Sequence, residues 1–144
     1  MRAIKKFEEF IKTGIVKKQS SDLSRANFLK EESKKSYSFL QKKIKAFGIN
    51  NETANDLIKS SYDIIMELIR AKMLLQGYNA SGQGAHEAEV SYLRTLGFKE
   101  KDIQFADQLR FFRNGMLYYG TSLDEEYAEK VIDFANKLFK VLEK

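Results

Sequence analysis

Between Ser21 and Phe47 the chain reads SDLSRANFLKEESKKSYSFLQKKIKAF, and Leu23, Ala26, Leu29, Ser33, Tyr37, Leu40, Ile44 and Phe47 recur in it at steps of three or four. That period belongs to one face of an α-helix, so the segment predicts a single long amphipathic helix over 21–47, with Ser21 placed to cap it. The sequence contains no proline, so no helix interior is interrupted by a missing N–H. Gly48 and Asn50-Asn51 break the pattern. ETANDLIKSSYDIIMELIRAKMLLQGY then resumes it through Leu57, Ile58, Ile64, Ile65, Leu68, Ile69 and Leu75, predicting a second long helix that ends near Gly77.

Three shorter helices follow by the same logic. HEAEVSYLRTLGF closes at Gly97, and KEKDIQFADQLRFFRNGMLYYG closes at Gly120. TSLDEEYAEKVIDFANKLFKVLEK opens with Ser122-x-x-Glu125, the pattern of a capping box, and turns Val131, Phe134, Leu138 and either Val141 or Leu142 inward. NASGQGA, residues 79–85, holds a GxG that follows no strand pattern, so it reads as a connector and not as a phosphate loop. Phe7, Phe10 and Ile11 suggest a short first helix ended around Gly14, which must pack on something or fray. No β-hairpin signal and no internal repeat is present. At 144 residues and 43% hydrophobic content there is material for one core. The expected fold is all-α: an antiparallel bundle of about five helices over 21–144, preceded by an N-terminal helical appendage over 1–20.

Several function classes fall away. No run of eighteen apolar residues exists and MRAIKKFEEF breaks any apolar start with charge, so neither a membrane span nor a signal peptide is expected; the protein should be soluble and cytoplasmic. Without cysteine there is no disulfide or thiolate site, and one histidine, His86, argues against a histidine-rich metal centre, so no metal and no cofactor is expected. The net charge of +5 is unevenly placed. Residues 1–50 hold 13 Lys/Arg against 5 Asp/Glu, giving +8, while residues 51–144 hold 12 against 15, giving −3. Such asymmetry marks a nucleic-acid-facing surface or lets two parts of one domain attract each other.

The stretch FRNGMLYYG, residues 112–120, keeps Arg113 and Asn114 among aromatic and aliphatic side chains. On a helix Arg110, Asn114 and Tyr118 form one polar line, Arg113 lies on the neighbouring one, and Asp107 falls three before Arg110 and within pairing reach. A guanidinium cannot shed its charge, so Arg113 either snorkels to water or is buried against Asp107, an acid on another helix, or a phosphate.

These residues resemble the motif of the HEPN family, small helical domains found in prokaryotes and in some larger eukaryotic proteins. In that motif an Arg, usually followed by Asn or another polar residue, precedes a His by four to six positions. Here Arg113-Asn114 matches and Tyr118 stands where the His is expected. SYDIIMELIRAKMLLQGY echoes the family's AYDxxxE-like segment, and GAHEAEVSYL resembles its loop-to-helix segment. The similarity runs through roughly residues 21–142. It implies a four- or five-helix bundle acting as a homodimer whose shared cleft binds or cleaves RNA without metal, and often a partnership with a minimal nucleotidyltransferase in a toxin-antitoxin pair. It further implies that Arg113 meets a phosphate or steadies transition-state charge, with Asn114 orienting it and Arg110 and Tyr118 beside it.

Tyr118 changes the chemistry that the resemblance implies. RNA cleavage needs a group to take the 2′-hydroxyl proton and another to protonate the leaving oxygen, and a phenol with a reference pKa of about 10 is a poor base at neutral pH. It still donates hydrogen bonds and stacks on bases. His86 starts a different helix, where it either packs the loop or supplies the missing imidazole. On the long helix over 21–47, Lys30, Lys34, Lys35, Lys42, Lys43 and Lys45 surround Tyr37 and Phe39, either an ordinary solvated face or a grip for RNA. The leading expectation is an RNA- or nucleotide-binding dimer with weak or no ribonuclease activity. The alternatives are a non-catalytic interaction module and an active ribonuclease using His86 or Tyr118.

Overall fold

The computed structural model describes residues 3–118 and 123–143, the side chains of 116–118 excepted. Among the described residues six helices run α1 Phe7–Lys12, α2 Leu23–Phe47, α3 Ala54–Leu75, α4 Ala85–Ser91, α5 Glu100–Tyr118 and α6 Glu125–Leu142, with a 3-10 turn, Tyr92–Arg94, after α4. The all-α class read from the sequence holds. α3 is apolar over most of its circumference, from Leu57 and Ile58 through Ile64, Ile65, Leu68 and Ile69 to Leu74, and keeps one polar stripe through Asp56, Lys59, Asp63, Glu67 and Arg70. So wide an apolar face must be covered by several neighbours, and α2, α4, α5 and α6 all pack against it.

The connection from α2 to α3 is held by side chains. Asn50 Nδ2 donates to the Phe47 carbonyl at 3.1 Å, its Oδ1 accepts from the Glu52 and Thr53 amides, and Thr53 Oγ1 donates to the Gly48 carbonyl at 2.9 Å. The same end of α3 receives the chain entering α6. Asn55 Oδ1 accepts from the Leu123 amide at 2.8 Å, and Asn51 Oδ1 from the Glu125 amide at 3.0 Å.

Helix caps fall one or two residues from their sequence-based positions. Asp22, not Ser21, caps α2 through its carboxylate and the Arg25 amide at 3.0 Å. Asp124 caps α6 through the Tyr127 amide at 2.9 Å; Ser122, expected in a capping box there, lies outside the described residues. A carboxylate accepts from a helix N-terminal amide at least as well as a hydroxyl and adds charge that complements the helix dipole.

Residues 3–20 pack instead of fraying. Ile4, Phe7, Phe10 and Val16 belong to the same buried cluster as the centre of α3, and the ring of Phe7 meets Tyr78 edge-on and Tyr92 at 4.7 Å. Two three-residue strands, β1 Val16–Lys18 and β2 Tyr78–Ala80, pair antiparallel with Val16 opposite Ala80. The sequence carries no strand signal because α2 and α3 separate the two, and three residues are too few for alternation to register. Beyond the strands the pairing continues, from the Gln19 amide to the Gly77 carbonyl at 2.8 Å and from the Asp22 amide to the Leu74 carbonyl at 3.0 Å. Gly77 has φ +87°, and a Cβ there would sit 2.6 Å from the Gln19 carbonyl oxygen, so the crossing admits only glycine.

Candidate functional site

Spacings of three and four along α3 place Tyr62 and Met66 at the floor of a groove and Asp63, Glu67 and Arg70 along its wall. Ser36 of α2 closes one side. The glycine-rich turn at 81–84 brings in α4, whose second residue, His86, stands at the open rim. The groove has a volume of about 480 Å³.

Three arginines sit at or beside this groove, and each faces carboxylates. Arg70 is bidentate to Glu89, with Nε to Oε2 at 2.6 Å and Nη2 to Oε1 at 3.0 Å. Arg110 donates from Nε to Asp107 Oδ1 at 2.9 Å, and its Nη2 lies 3.8 Å from Glu87 Oε1. That Nη2 is also 2.9 Å from Asp107 Oδ1 but without a hydrogen-bonding angle. Arg113 differs from the other two. Its Nη2 is 3.6 Å from Asp63 Oδ2, too long for a hydrogen bond, while its Nε and Nη1 are buried with no hydrogen-bond partner among the described residues.

Exposure separates these pairs further. The carboxylate side chains of Glu89 and Asp107 are 2% and 3% exposed, whereas that of Asp63 is 59% exposed. The first two are therefore fixed parts of the interior, and Asp63 can turn to water at little cost. Arg113, with its side chain only 20% exposed, neither snorkels to solvent nor meets Asp107; it faces an acid on another helix.

Two groups in the groove are displaced from their usual acidities. Burial pushes the Tyr62 hydroxyl well above the ordinary phenol range, with Arg110 opposing and Glu89 and Asp63 adding to the rise. It therefore stays protonated, and it has no hydrogen-bond partner among the described residues. The Glu67 carboxyl is raised by burial first and by the nearby charge of Asp63, against the pull of Arg70. Among the described residues no group of three or more histidine, aspartate or glutamate side chains is placed to hold a metal ion, and no helix is long and apolar enough to cross a membrane.

The structure thus brings some of the sequence-derived residues together. Arg110 and Arg113 turn inward toward α3 and α4, and Asn114 is exposed on the outer side of α5. The side chain of Tyr118 is outside the described residues. His86 is exposed and shares its groove with Asp63, the carboxylate facing Arg113. Arg70, Glu87 and Glu89 were not singled out from the sequence. The available signal for Glu89 was its place in the run Ala88–Leu93, where a charge beside Val90 and Leu93 must be buried with a partner. No protein-family model matches the chain, and neither a curated protein nor a solved structure matches it.

Proposed function

We propose that the Arg113 edge of this groove binds a phosphate of RNA or of a nucleotide, in a HEPN-like domain that acts as a dimer with weak or no ribonuclease activity. The observation that carries this reading is the guanidinium of Arg113, held largely out of water with Nε and Nη1 unpartnered among the described residues. Leaving such donors unmet is costly, and a planar fork of N–H groups matches a phosphate's oxygens. The surrounding carboxylates do not prevent it. Glu89 and Asp107 are spent on Arg70 and Arg110, and the exposed Asp63 yields its loose contact to an incoming anion. Tyr62, kept neutral, lines the groove without adding negative charge.

Labelled single-stranded RNA followed by fluorescence anisotropy tests the proposal. Affinity should fall as salt rises and drop at least tenfold in Arg113→Ala, the loss of one charge-assisted phosphate contact being about 1.5–3 kcal/mol. Unchanged binding by that variant sinks the reading. Purified protein that cleaves the RNA, and loses this in His86→Ala, would instead establish a ribonuclease using the imidazole at the groove's rim.

A second reading is favoured by Phe111, whose side chain is 62% exposed on the same helix and lies against the guanidinium of Arg110 at 5.6 Å. An exposed aromatic ring beside a held arginine suits a protein interface, the toxin-antitoxin partner or a second copy. Loss of association in Phe111→Ala on sedimentation, with RNA affinity absent throughout, would decide for it.

A further inference from the structure

The outer face of α2 carries a feature that the groove does not use. Phe28 and Phe39 are 62% and 60% exposed. They stand eleven positions apart, which brings them within about 20° of each other around the helix and about 16 Å apart along it. Lys35 and Lys42 fall on the same stripe, both exposed, so the order along the helix is Phe28, Lys35, Phe39, Lys42. Within Leu23–Phe47 there are seven Lys/Arg against two Glu.

The Phe39 ring is held in place. Lys43 Nζ lies 5.3 Å from its centroid, and that ammonium is fixed by Asp56 Oδ2 at 2.7 Å and Ser60 Oγ at 2.8 Å on α3. One side of the ring is thereby fixed by a cation while the rest faces water. On the stripe's flank Glu32 meets Lys35 at 3.7 Å in an exposed pair that a polyanion readily displaces.

We propose that this aromatic and lysine stripe on α2 is a binding track for single-stranded RNA, with bases stacking on Phe28 and Phe39 and backbone phosphates meeting Lys35 and Lys42. It rests on the phosphate-binding reading of the groove and extends it. Ser36 lines that groove from about a quarter turn around the same helix, so a strand leaving the groove passes onto the stripe. Flat rings with interleaved cations suit unpaired bases and phosphates in alternation. A bilayer surface calls for a broad apolar face, and here two rings stand apart among lysines. A second copy of the chain would set one strongly basic helix against another, which costs association energy.

The experiment compares two probes on the full chain, a labelled uridylate oligomer of about 12 nucleotides and the dinucleotide UpU. Phe28→Ala/Phe39→Ala alters only exposed rings, so the fold persists, and circular dichroism checks it. This variant should bind the oligomer at least about tenfold more weakly and UpU as before. Lys35→Gln/Lys42→Gln should lower the slope of log affinity against log salt by about 1.4 for the oligomer. Arg113→Ala should weaken both probes, so a variant pattern in which only Arg113→Ala acts overturns the track while leaving the groove. The converse pattern, in which only the α2 variants act, keeps the track and removes the groove. Unchanged oligomer affinity in the double phenylalanine variant together with loss of binding to phosphatidylserine vesicles, or with loss of a dimer, overturns the track in favour of a membrane or a self-association surface.

Discussion

Arg70 and Glu89 meet through two parallel hydrogen bonds, 2.6 and 3.0 Å long, that tie the C-terminal third of α3 to α4 with the glutamate 2% exposed. The pair raises the affinity of the Arg70 guanidinium for its proton, chiefly through that hydrogen bonding. It also sets where α4, and with it His86, stands against the groove.

Breaking the pair from one side should be severe. Arg70→Met leaves Glu89 charged, buried and alone, and the expected cost is about 3–5 kcal/mol, read as a drop in the denaturant midpoint. Arg70→Met combined with Glu89→Leu removes both charges and should recover most of the loss. A double variant no more stable than the single would show that the pair gives the α3–α4 contact more than its charges cancel.

Tyr92 has the opposite character. Its ring is fully buried against Phe7 and Tyr78, yet its hydroxyl has no hydrogen-bond partner among the described residues and burial pushes its pKa up to about 12. Tyr92→Phe keeps the packing and removes an unmet polar group, so it should stabilise the fold by roughly 1 kcal/mol. Thermal unfolding that falls by several degrees would mean that the hydroxyl has found a partner.

These two sites mark what the sequence could and could not disclose. The helices were legible because apolar spacing records which face turns inward, and Leu40, Ile64 and Leu138 are buried as their spacing requires. The same spacing placed Leu23 and Phe47 inward, and they are 58% and 69% exposed. Periodicity names a face; it does not say whether another element lies opposite at that height. Val141 and Leu142 were equal by spacing, and packing chose Leu142, leaving Val141 49% exposed. Arg113 could be recognised as a charge in an apolar run, but its facing acid, Asp63, lies on a helix fifty positions away. Pairing between helices depends on their relative rotation, which no local pattern carries.

Arg94 clamps the N-terminal segment. Its Nη1 and Nη2 donate to the carbonyls of Lys5 and Ile4 at 2.8 and 2.7 Å, while its Nε donates to Glu100 at 2.7 Å. Lysine cannot form that fork. Arg94→Lys and Arg94→Ala should both loosen residues 3–18, at a cost of about 1–3 kcal/mol, and accelerate amide exchange in β1. Unaltered exchange at Val16–Lys18 would show that Phe7 and Phe10 hold the segment without the clamp.

Glu67 gives the protein a pH-dependent contribution of known sign. Burial and Asp63 raise its carboxyl above the usual value, so the unfolded chain loses this proton at lower pH than the folded one. Between the two pKa values the folded state binds more protons, and stability falls as pH rises through that window. Below the window the contribution is intact. Glu67→Gln should abolish this part of the pH dependence and stabilise the fold at neutral pH, as measured by denaturant unfolding across a pH series. An unchanged profile in the variant would assign the dependence elsewhere.

Asp63 should act as a competitor for the ligand. Its carboxylate is 3.6 Å from Arg113 and 59% exposed, near enough to offset the guanidinium and free enough to leave it. A loose contact whose carboxylate is open to water contributes about 0–1 kcal/mol. Asp63→Asn removes the charge and keeps the shape, so Arg113 meets an incoming phosphate without first losing a partner. RNA affinity should rise by up to about fivefold, which is that energy expressed as a ratio. The rise should vanish in Asp63→Asn/Arg113→Ala, because without the guanidinium there is nothing for the carboxylate to occupy. A fall in affinity in the single variant would give Asp63 a different part, that of holding Arg113 in the geometry the phosphate needs.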